Sequence, residues 1–480
     1  MTSKEGTRTN WPEIYSQRRN QLRKKFGNDV ILWIGHVPQA RNYADETYPF
    51  RQNSHFLYYT GISEPEMAML SFPQKDHDIL FAGHEDIDDI VWSGSRPAPA
   101  DFAKSAGIEA VEDIGRLEYH IRNLRAHGTR IHFLPPYQYS SLCRLASLFK
   151  IGPAKVAAKA SRLLMEQVAF QRSIKSDAEV AEIEEALGIT DRMHRACMAA
   201  ARPGRRESEI SAMIQAIALS SDRQQAFTPI VTVRGEVLHN HSYDNVLAKG
   251  QLLLCDSGTE SAKYYASDIT RTCPVGGKFS GLQIEIYQIV LHMQLGAISM
   301  IKPGVSYRDV HLHACRIMVE ELRSIGLMRG SPADAVEAGA HALFFPHGIG
   351  HMMGLDVHDM EDLGDIVGYV KREKRSGQFG LKFLRLSRPL EPGYVLTVEP
   401  GIYFIPALID RWVQAGLHNE FINYSKLEGF RKFGGIRIED DVLVTSTGSR
   451  VLGPEIPKTV QQVEEACERE LTIDDLRFTI

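Results

Sequence analysis

The chain has 480 residues, of which 43% are hydrophobic, and its 55 Lys and Arg against 60 Asp and Glu give a formal net charge of −5. This composition is typical of a globular protein and disfavours disordered, collagen-like and membrane-spanning classes. The mild acidity argues against nucleic acid or an anionic membrane as the main partner, because both require a basic surface. The amino-terminal residues show no secretory signal, so we expect a cytoplasmic protein that binds neither nucleic acid nor membranes.

The first third of the chain predicts an α/β domain, which we place at residues 1–165. A single hydrophobic core stops growing at roughly 250–300 residues, so a chain of this length predicts about two domains. Helices are expected at residues 11–27 and 117–126. Short apolar runs between turn residues are typical of strands. They occupy residues 30–34, 56–60, 67–72, 79–81 and 131–134.

A second domain is predicted at residues 166–460, followed by a charged, helical and solvated tail at residues 461–480. Ser176 and Glu179 have the spacing of a capping box at the start of a long helix. Further along, Arg-Pro-Gly at residues 202–204 recurs as Lys-Pro-Gly at residues 302–304, each time between two helical segments. The repeat predicts two similar halves within this domain.

Each predicted half ends a buried strand in a carboxylate. The apolar run before Asp256 matches the run before Glu399, and a glycine follows each acidic residue two positions later. A second acidic pair, Asp268 and Glu439, comes further along the two halves. A buried carboxylate is costly unless it meets a cation, a hydrogen-bond donor or a proton. The duplicated set therefore indicates a functional site rather than four unrelated surface charges.

A histidine cluster, formed by His347, His351 and His358, lies between these carboxylate pairs. The two glycines between His347 and His351 disfavour a helix and predict an extended or looped backbone. Four carboxylates with one imidazole are a hard ligand set, which favours Mn²⁺ or a similar divalent ion over a thiolate-bound zinc. Two bridged cations would neutralise the set. Strand parity also places Arg437 beside Glu439, where it would orient that carboxylate.

Other histidines and the cysteines are interpreted as structural. His311 and His313 fall within a helical pattern that follows the second Pro-Gly pair. The six cysteines lie far apart and form no Cys-x-x-Cys pair, so we expect free and mostly buried thiols. They are Cys143, Cys197, Cys255, Cys273, Cys315 and Cys467.

Taken together, the motifs resemble the Xaa-Pro aminopeptidase (aminopeptidase P) and prolidase family. They are Asp-Ser-Gly at 256–258, Ser-Asp-Ile-Thr-Arg-Thr at 267–272, His-Gly-Ile-Gly-His at 347–351, Leu-Asp-Val-His-Asp at 355–359, Thr-Val-Glu-Pro-Gly at 397–401 and Gly-Ile-Arg-Ile-Glu-Asp at 435–440. Residues 41–61 and Trp-Ser-Gly-Ser-Arg at 92–96 are similar to the family's amino-terminal domain. The resemblance implies an α+β protein, with that α/β domain followed by a pseudo-symmetric pita-bread catalytic domain.

The resemblance also implies a centre of two divalent ions, with Mn²⁺ favoured and Zn²⁺ or Co²⁺ as alternatives. The implied metal ligands are Asp256, Asp268, His351, Glu399 and Glu439. In the family pattern Asp268 and Glu439 bridge the two ions. Glu399 would accept a proton from the attacking water and pass it to the proline nitrogen of the substrate.

Several further residues match family positions around the substrate. His358 would hydrogen-bond the tetrahedral intermediate, and His239 would contact the substrate. His347 and Phe227 are expected to line the proline pocket, and Arg437 is counted with the substrate-binding residues.

We therefore expect an aminopeptidase that removes the first residue of peptides with proline in second position and that forms a homodimer or homotetramer. A prolidase, which cleaves Xaa-Pro dipeptides by the same chemistry, is the nearest alternative. A non-catalytic pita-bread binding protein and a metal-independent hydrolase of the creatinase type are more distant ones. Some spacings are longer than in many family members, and one insertion carries a basic run at residues 371–375, which predicts a solvated loop.

Overall fold

The computed structural model describes residues 9–470. The chain divides into two units, one up to Gln171 together with Asp362–Gly364, the other formed by the remaining described residues from Arg172 onward. The predicted boundary at residue 165 lies inside the helix Arg162–Ser173, and the predicted domain limits stay predictions. The amino-terminal residues used in the signal argument and residues 471–480 of the predicted tail lie outside the described residues.

The first unit is a mixed α/β layer structure. In chain order the elements are α1 (Trp11–Arg23), β1 (Val30–Ile34), β2 (Ala40–Tyr43), β3 (Glu46–Thr47), α2 (Ser54–Thr60), β4 (Ala68–Phe72), β5 (His77–Ala82), α3 (Ile87–Ser93), α4 (Pro99–Ser105), β6 (Ala110–Asp113), α5 (Leu117–Ala126), β7 (Ile131–His132), α6 (Tyr139–Phe149), α7 (Val156–Lys159) and most of α8 (Arg162–Ser173). The sheet has the strand order β6-β5-β4-β1-β7, with β1 antiparallel to β4 and parallel to β7. A separate two-stranded ribbon is formed by β2 and β3.

One predicted strand of this unit is instead a helix. Residues 56–60 belong to α2, whose first amides are capped by the side chain of Asn53 and whose end is a left-handed Gly61. These caps satisfy backbone groups that a short apolar run leaves open, so they outweigh the strand propensity of the run. All seven residues of α2 are buried.

The second unit carries two sets of paired helices and strands. In chain order its elements are α9 (Asp177–Ala200), α10 (Glu207–Ser220), β8 (Ile230–Thr232), β9 (Leu252–Ser257), β10 (Ile269–Pro274), α11 (Gly281–Met300), α12 (Tyr307–Ser324), α13 (Pro332–Ala338), β11 (Val395–Val398), β12 (Gly401–Tyr403), α14 (Pro406–Gln414), α15 (Tyr424–Leu427), β13 (Gly435–Arg437), β14 (Asp440–Val444), β15 (Ser449–Val451) and α16 (Val460–Glu468). The sheets have the orders β10-β9-β8 and β11-β14-β15, and β12 pairs with β13.

The repeat predicted from the sequence has a counterpart in the backbone hydrogen bonds. The amide of Gly204, in the turn between α9 and α10, donates to the carbonyl of Leu247 at 2.8 Å. The amide of Gly304, between α11 and α12, donates to the carbonyl of Leu390 at the same distance. In both halves the leucine amide donates back to the residue after the glycine. The same turn therefore ties a helix pair to a strand-bearing segment in each half.

Two sequence expectations at the edges of this unit have different outcomes. The basic run at residues 371–375 is largely exposed and outside regular helix or strand, as predicted. The tail is not simply solvated, because α16 buries Val463 and Cys467. Among the described residues, no helix has the length and apolar character that a membrane crossing requires.

The stability of the first unit depends on a buried arginine. Arg19 of α1 is 1% exposed and donates to Asp78 at 2.7 Å and to the carbonyls of Tyr59 and Ala106. We expect Arg19→Met to lower the free energy of unfolding of this unit by about 3 kcal/mol, since the buried carbonyls of Tyr59 and Ala106 lose a donor and Asp78 keeps only Arg23 as a partner. Urea unfolding measures the loss. The matched control is Arg116→Met, which removes an exposed pair with Glu112 and should cost less than about 1 kcal/mol; equal effects would contradict the prediction.

Candidate metal centre

The two carboxylates of the first half, Asp256 and Asp268, are brought together by the β9–β10 hairpin. Asp256 lies near the end of β9 and pairs with Thr270 of β10, and Asp268 immediately precedes β10. Residues two apart on a strand share a face, so Asp256, Asp268 and Thr270 point to the same side. Gly258 is required beside them, because a Cβ there would lie 1.8 Å from the carbonyl oxygen of Ser267.

The two carboxylates of the second half, Glu399 and Glu439, lie at the junctions between consecutive strands. Glu399 separates β11 from β12, and Glu439 separates β13 from β14. The two halves meet directly here, because the amide of Glu439 donates to the carbonyl of Thr270 at 3.0 Å. The carboxylates of both pairs therefore converge on one site.

His351 reaches this site on an extended segment, as the glycine pattern predicted. The segment runs beside β11, where the amide of Thr397 donates to the His351 carbonyl at 3.0 Å and the amide of Glu399 donates to the Ile349 carbonyl at 2.8 Å. Gly350 allows this approach, because a Cβ at Gly350 would lie 2.1 Å from the Thr397 carbonyl oxygen. No helical histidine pair is formed.

Three buried side chains form the centre of the site. Ligand atoms of Asp268, His351 and Glu439 all lie within 4.8 Å of one another. The Nε2 atom of His351 is 3.5 Å from Asp268 and 3.9 Å from Glu399. The Nδ1 atom of His351 bonds the Met352 carbonyl at 3.1 Å, so the neutral ring presents the lone pair of Nε2 to the carboxylates.

Arg437 has a different partner from the one predicted. Its guanidinium contacts Asp256 at 2.5 Å and donates to the hydroxyl of Thr270 at 3.1 Å. That hydroxyl in turn donates to Glu439 at 2.6 Å. Arg437 and Glu439 are two apart across the β13–β14 junction, where regular strand parity ends, so Arg437 reaches Glu439 through Thr270 and not by a direct contact.

The electrostatics of the site fit a divalent cation. Burial, reinforced by Asp256, raises the pKa of Asp268 well above its usual value. Burial, reinforced by Asp268, does the same to the pKa of Glu439. One oxygen of Asp256 and one of Asp268 are buried without a hydrogen-bond partner. Unpaired carboxylate oxygens around one neutral imidazole are the donors that a hard divalent metal requires.

Glu399 differs from the other carboxylates in its surroundings. Burial, with a smaller contribution from Asp268, raises the pKa of Glu399 to about 7, although His351 and Arg437 act in the opposite direction. Its carboxylate lies 3.8 Å from the Nδ1 atom of His347. A carboxyl group whose pKa lies close to neutrality is suited to accept and release a proton.

The other residues predicted around the substrate, His358, His239 and Phe227, differ in their surroundings. The ring of His358 packs edge-on against His351 with centroids 4.2 Å apart. His239 lies in the field of Arg437 and Asp256, and its pKa is lowered chiefly by burial. Phe227 is half-buried in the loop before β8. The roles of these three residues stay predictions.

A hydrogen-bond chain beside the carboxylates was not predicted from the sequence. The hydroxyl of Tyr403 contacts the Nε2 atom of His347 at 2.9 Å and accepts from Arg437 at 3.2 Å. Burial lowers the pKa of His347 to about 3, so its ring stays neutral. Tyr403 lies two residues after Gly401 on β12, so strand parity from the predicted motif was the one available signal for it.

Comparisons with known proteins follow the division of the chain. Residues 15–132 match the profile of the aminopeptidase P amino-terminal domain, and residues 181–446 match that of metallopeptidase family M24. The chain belongs to metallopeptidase family M24. The predicted fold is thereby confirmed, and the protein is a divalent-metal peptidase, which contradicts the alternative of a non-catalytic binding module.

Relatives of this M24 chain include both Xaa-Pro aminopeptidases and an Xaa-Pro dipeptidase. It is 31% identical to a probable Xaa-Pro aminopeptidase of Uncinocarpus reesii, over 92% of this chain and 91% of that one. It is 33% identical to the Xaa-Pro dipeptidase of Homo sapiens, over 92% and 88%. Among solved structures, aminopeptidase PepP of Pseudomonas aeruginosa matches with a TM-score of 0.77 and 28% identity, and aminopeptidase P of E. coli with the inhibitor Pro-Leu with 0.76 and 29%. Each covers 95% of this chain and 98% of that structure.

Glu399 gives the metal-free protein a testable pH dependence. Its pKa in the folded protein, about 7, lies above the ordinary value of 4.5, so folding favours the protonated carboxyl and this stabilisation is lost as the pH rises through that window. We expect Glu399→Gln, which cannot ionise, to gain stability relative to wild type by on the order of 3 kcal/mol over the window.

Urea unfolding of the metal-stripped proteins at several pH values measures this gain. The matched control is Glu337→Gln, which removes an exposed carboxylate of α13, outside the site. A pH-independent difference between Glu399→Gln and wild type would show that Glu399 does not titrate in this window.

Proposed function

We propose that the protein is an Xaa-Pro aminopeptidase with two divalent metal ions at the carboxylate site. One observation carries the proposal: in an M24 chain, acidic side chains from both halves converge with an imidazole at one buried site, and two of their oxygens lack partners. The proposed ligands are Asp256, Asp268, His351, Glu399 and Glu439. These five side chains would hold the ions, and Mn²⁺ is the favoured ion because the donors are mostly oxygen.

The bound ions would supply Lewis acidity, which polarises the scissile carbonyl and lowers the pKa of a water molecule. The chain supplies the proton transfer: Glu399 takes a proton on its carboxylate and delivers it to the proline nitrogen of the leaving peptide. Arg437 fixes Asp256 directly and Glu439 through Thr270, so two carboxylates are held in place before substrate binds.

The substrate is proposed to lie between His239 and His358 on one side and a proline pocket on the other. His358 would donate a hydrogen bond to the oxygen on which charge develops during attack. His347 and Phe227 would form walls of the pocket. The bond from Tyr403 holds the ring of His347 in one orientation, which favours a rigid proline ring over a flexible side chain.

Peptides that begin with Xaa-Pro are the proposed partners, a homodimer or homotetramer is the proposed assembly, and the cytoplasm is the proposed location. The second candidate function is Xaa-Pro dipeptidase, which the human relative at 33% identity specifically favours. The aminopeptidase P profile of the amino-terminal domain and the aminopeptidase relatives favour the first.

A peptide panel separates the two candidates. We expect the metal-stripped protein to be inactive and, after addition of Mn²⁺, to release alanine from Ala-Pro-Ala but not from Ala-Ala-Ala. Chromatography of the products, with Zn²⁺ and Co²⁺ in parallel samples, measures the release. Cleavage of Ala-Pro without cleavage of Ala-Pro-Ala would replace the proposal with a dipeptidase. Undiminished activity after complete metal removal would overturn the metal centre itself.

The role of Glu399 in proton transfer has its own test. Glu399→Gln preserves shape but cannot carry the proton, so we expect kcat on Ala-Pro-Ala to fall by at least about 10²–10⁴-fold while the circular dichroism spectrum is unchanged. Glu337→Gln, the exposed substitution, should retain wild-type kcat. Wild-type turnover by Glu399→Gln, with full metal content verified by atomic emission, would refute this assignment.

A further inference from the structure

A second group of potential metal ligands lies outside the carboxylate site. His311 and Cys315 are one turn apart on α12, and His341 lies in the short 3₁₀-helix Ala340–Leu343. One ligand atom from each residue lies within 4.8 Å of the other two. All three residues have a relative exposure of 0%. We refer to these three residues as the thiol-imidazole cluster.

The cluster leaves buried polar atoms unsatisfied. Neither ring nitrogen of His341 makes a hydrogen bond of normal geometry, although the backbone of Val336 lies close enough to act on the ring, and the Nδ1 atom of His311 also lacks a partner. The Nε2 atom of His311 is 3.4 Å from the sulfur of Cys315. A buried polar atom without a partner costs about 1–3 kcal/mol. Three such nitrogens lie within two neighbouring rings, and a leucine would fill the same space without this loss of stability. The nitrogens are therefore expected to have a ligand.

The neutral state of the two imidazoles suits a metal ion. Burial lowers the pKa of His341 to about 4 and that of His311 well below its usual value, so both rings are neutral, the form that binds metal. Burial raises the pKa of the Cys315 thiol. A metal ion would therefore displace the thiol proton on binding.

The chemistry of the donors distinguishes this cluster from the carboxylate site. Two imidazole nitrogens and one sulfur are softer ligands than carboxylate oxygens, and they select zinc-like ions over Mn²⁺. The two sites are nevertheless close. The ring of Phe345 lies 5.2 Å from that of His311 and 4.8 Å from that of His347. One aromatic ring thus separates the cluster from the proposed wall of the proline pocket.

We propose that His311, Cys315 and His341 form a binding site for a thiophilic divalent ion of the zinc class, separate from the carboxylate centre. Three protein ligands leave the fourth position of a tetrahedral ion to a small ligand such as water. The proposal assigns to His311 a ligand role in addition to the structural one predicted from its helical position. It does not depend on the proposed peptidase specificity.

Cobalt provides a direct probe, because a Co²⁺–thiolate bond produces a charge-transfer band in the near ultraviolet and a carboxylate centre does not. We expect the metal-free, full-length protein to develop this band on titration with Co²⁺ and to saturate it at one equivalent beyond the carboxylate centre. The band should disappear in Cys315→Ser. It should persist in Asp268→Asn, which damages the carboxylate centre, and in Cys197→Ser, the matched control for a buried thiol in the same unit.

The outcomes separate the alternatives. Absence of the band in wild type, or its survival in Cys315→Ser, would overturn the proposal, and its loss only in Cys197→Ser would assign it to other thiols. A measurement on wild type covers the case in which Cys315→Ser does not fold. Zn²⁺ should bleach the cobalt band at least about 100-fold more effectively than Mn²⁺, as expected for a site with a soft ligand set. Equal potency of the two ions would contradict a thiophilic site.

Discussion

The concentration of negative charge at one buried place is the constraint on which the catalytic unit depends. Asp268 and Glu439 are almost fully buried and close together, and burial, reinforced by the neighbouring carboxylates, raises the pKa of each. Arg437 is the cation in direct contact with this set, and it is committed to Asp256. Such an arrangement costs stability in the absence of a cation or a proton. A bound cation or a proton is therefore needed to offset the electrostatic cost of this site.

The duplicated architecture explains how so many acids reach one place. Each half ends a buried strand in a carboxylate, and the backbone bond from Glu439 to Thr270 joins the two halves at that point. A carboxylate at a strand end keeps its backbone in the sheet while its side chain leaves the apolar layer. Because each half has such a strand end and the two halves meet there, the carboxylates converge without long side chains.

The sequence was sufficient for the parts of the site that follow from local periodicity and repetition. The four acidic positions came from matched strands, and the extended backbone at His351 came from two glycines. The partners of Arg437 could not be derived in this way, because Thr270 belongs to the other half and its contact depends on how the halves meet. Tyr403 was missed for a different reason: its partners His347 and Arg437 lie in the same half but far from it in sequence, and strand parity from Gly401 does not identify them. The strand predicted at residues 56–60 was wrong, because the helix caps Asn53 and Gly61 outweighed the strand propensity of the run.

The bond between Glu439 and Thr270 has a consequence for the lifetime of the protein. In the proposed centre, a divalent ion held by carboxylates from both halves would act as a reversible cross-link between segments that are far apart in the chain, and unfolding would have to release it. Above the dissociation constant, each tenfold rise in free ion would add about 1.4 kcal/mol to the stability of the folded unit. The population of unfolded chains that proteases attack would then fall as the local concentration of the ion rises.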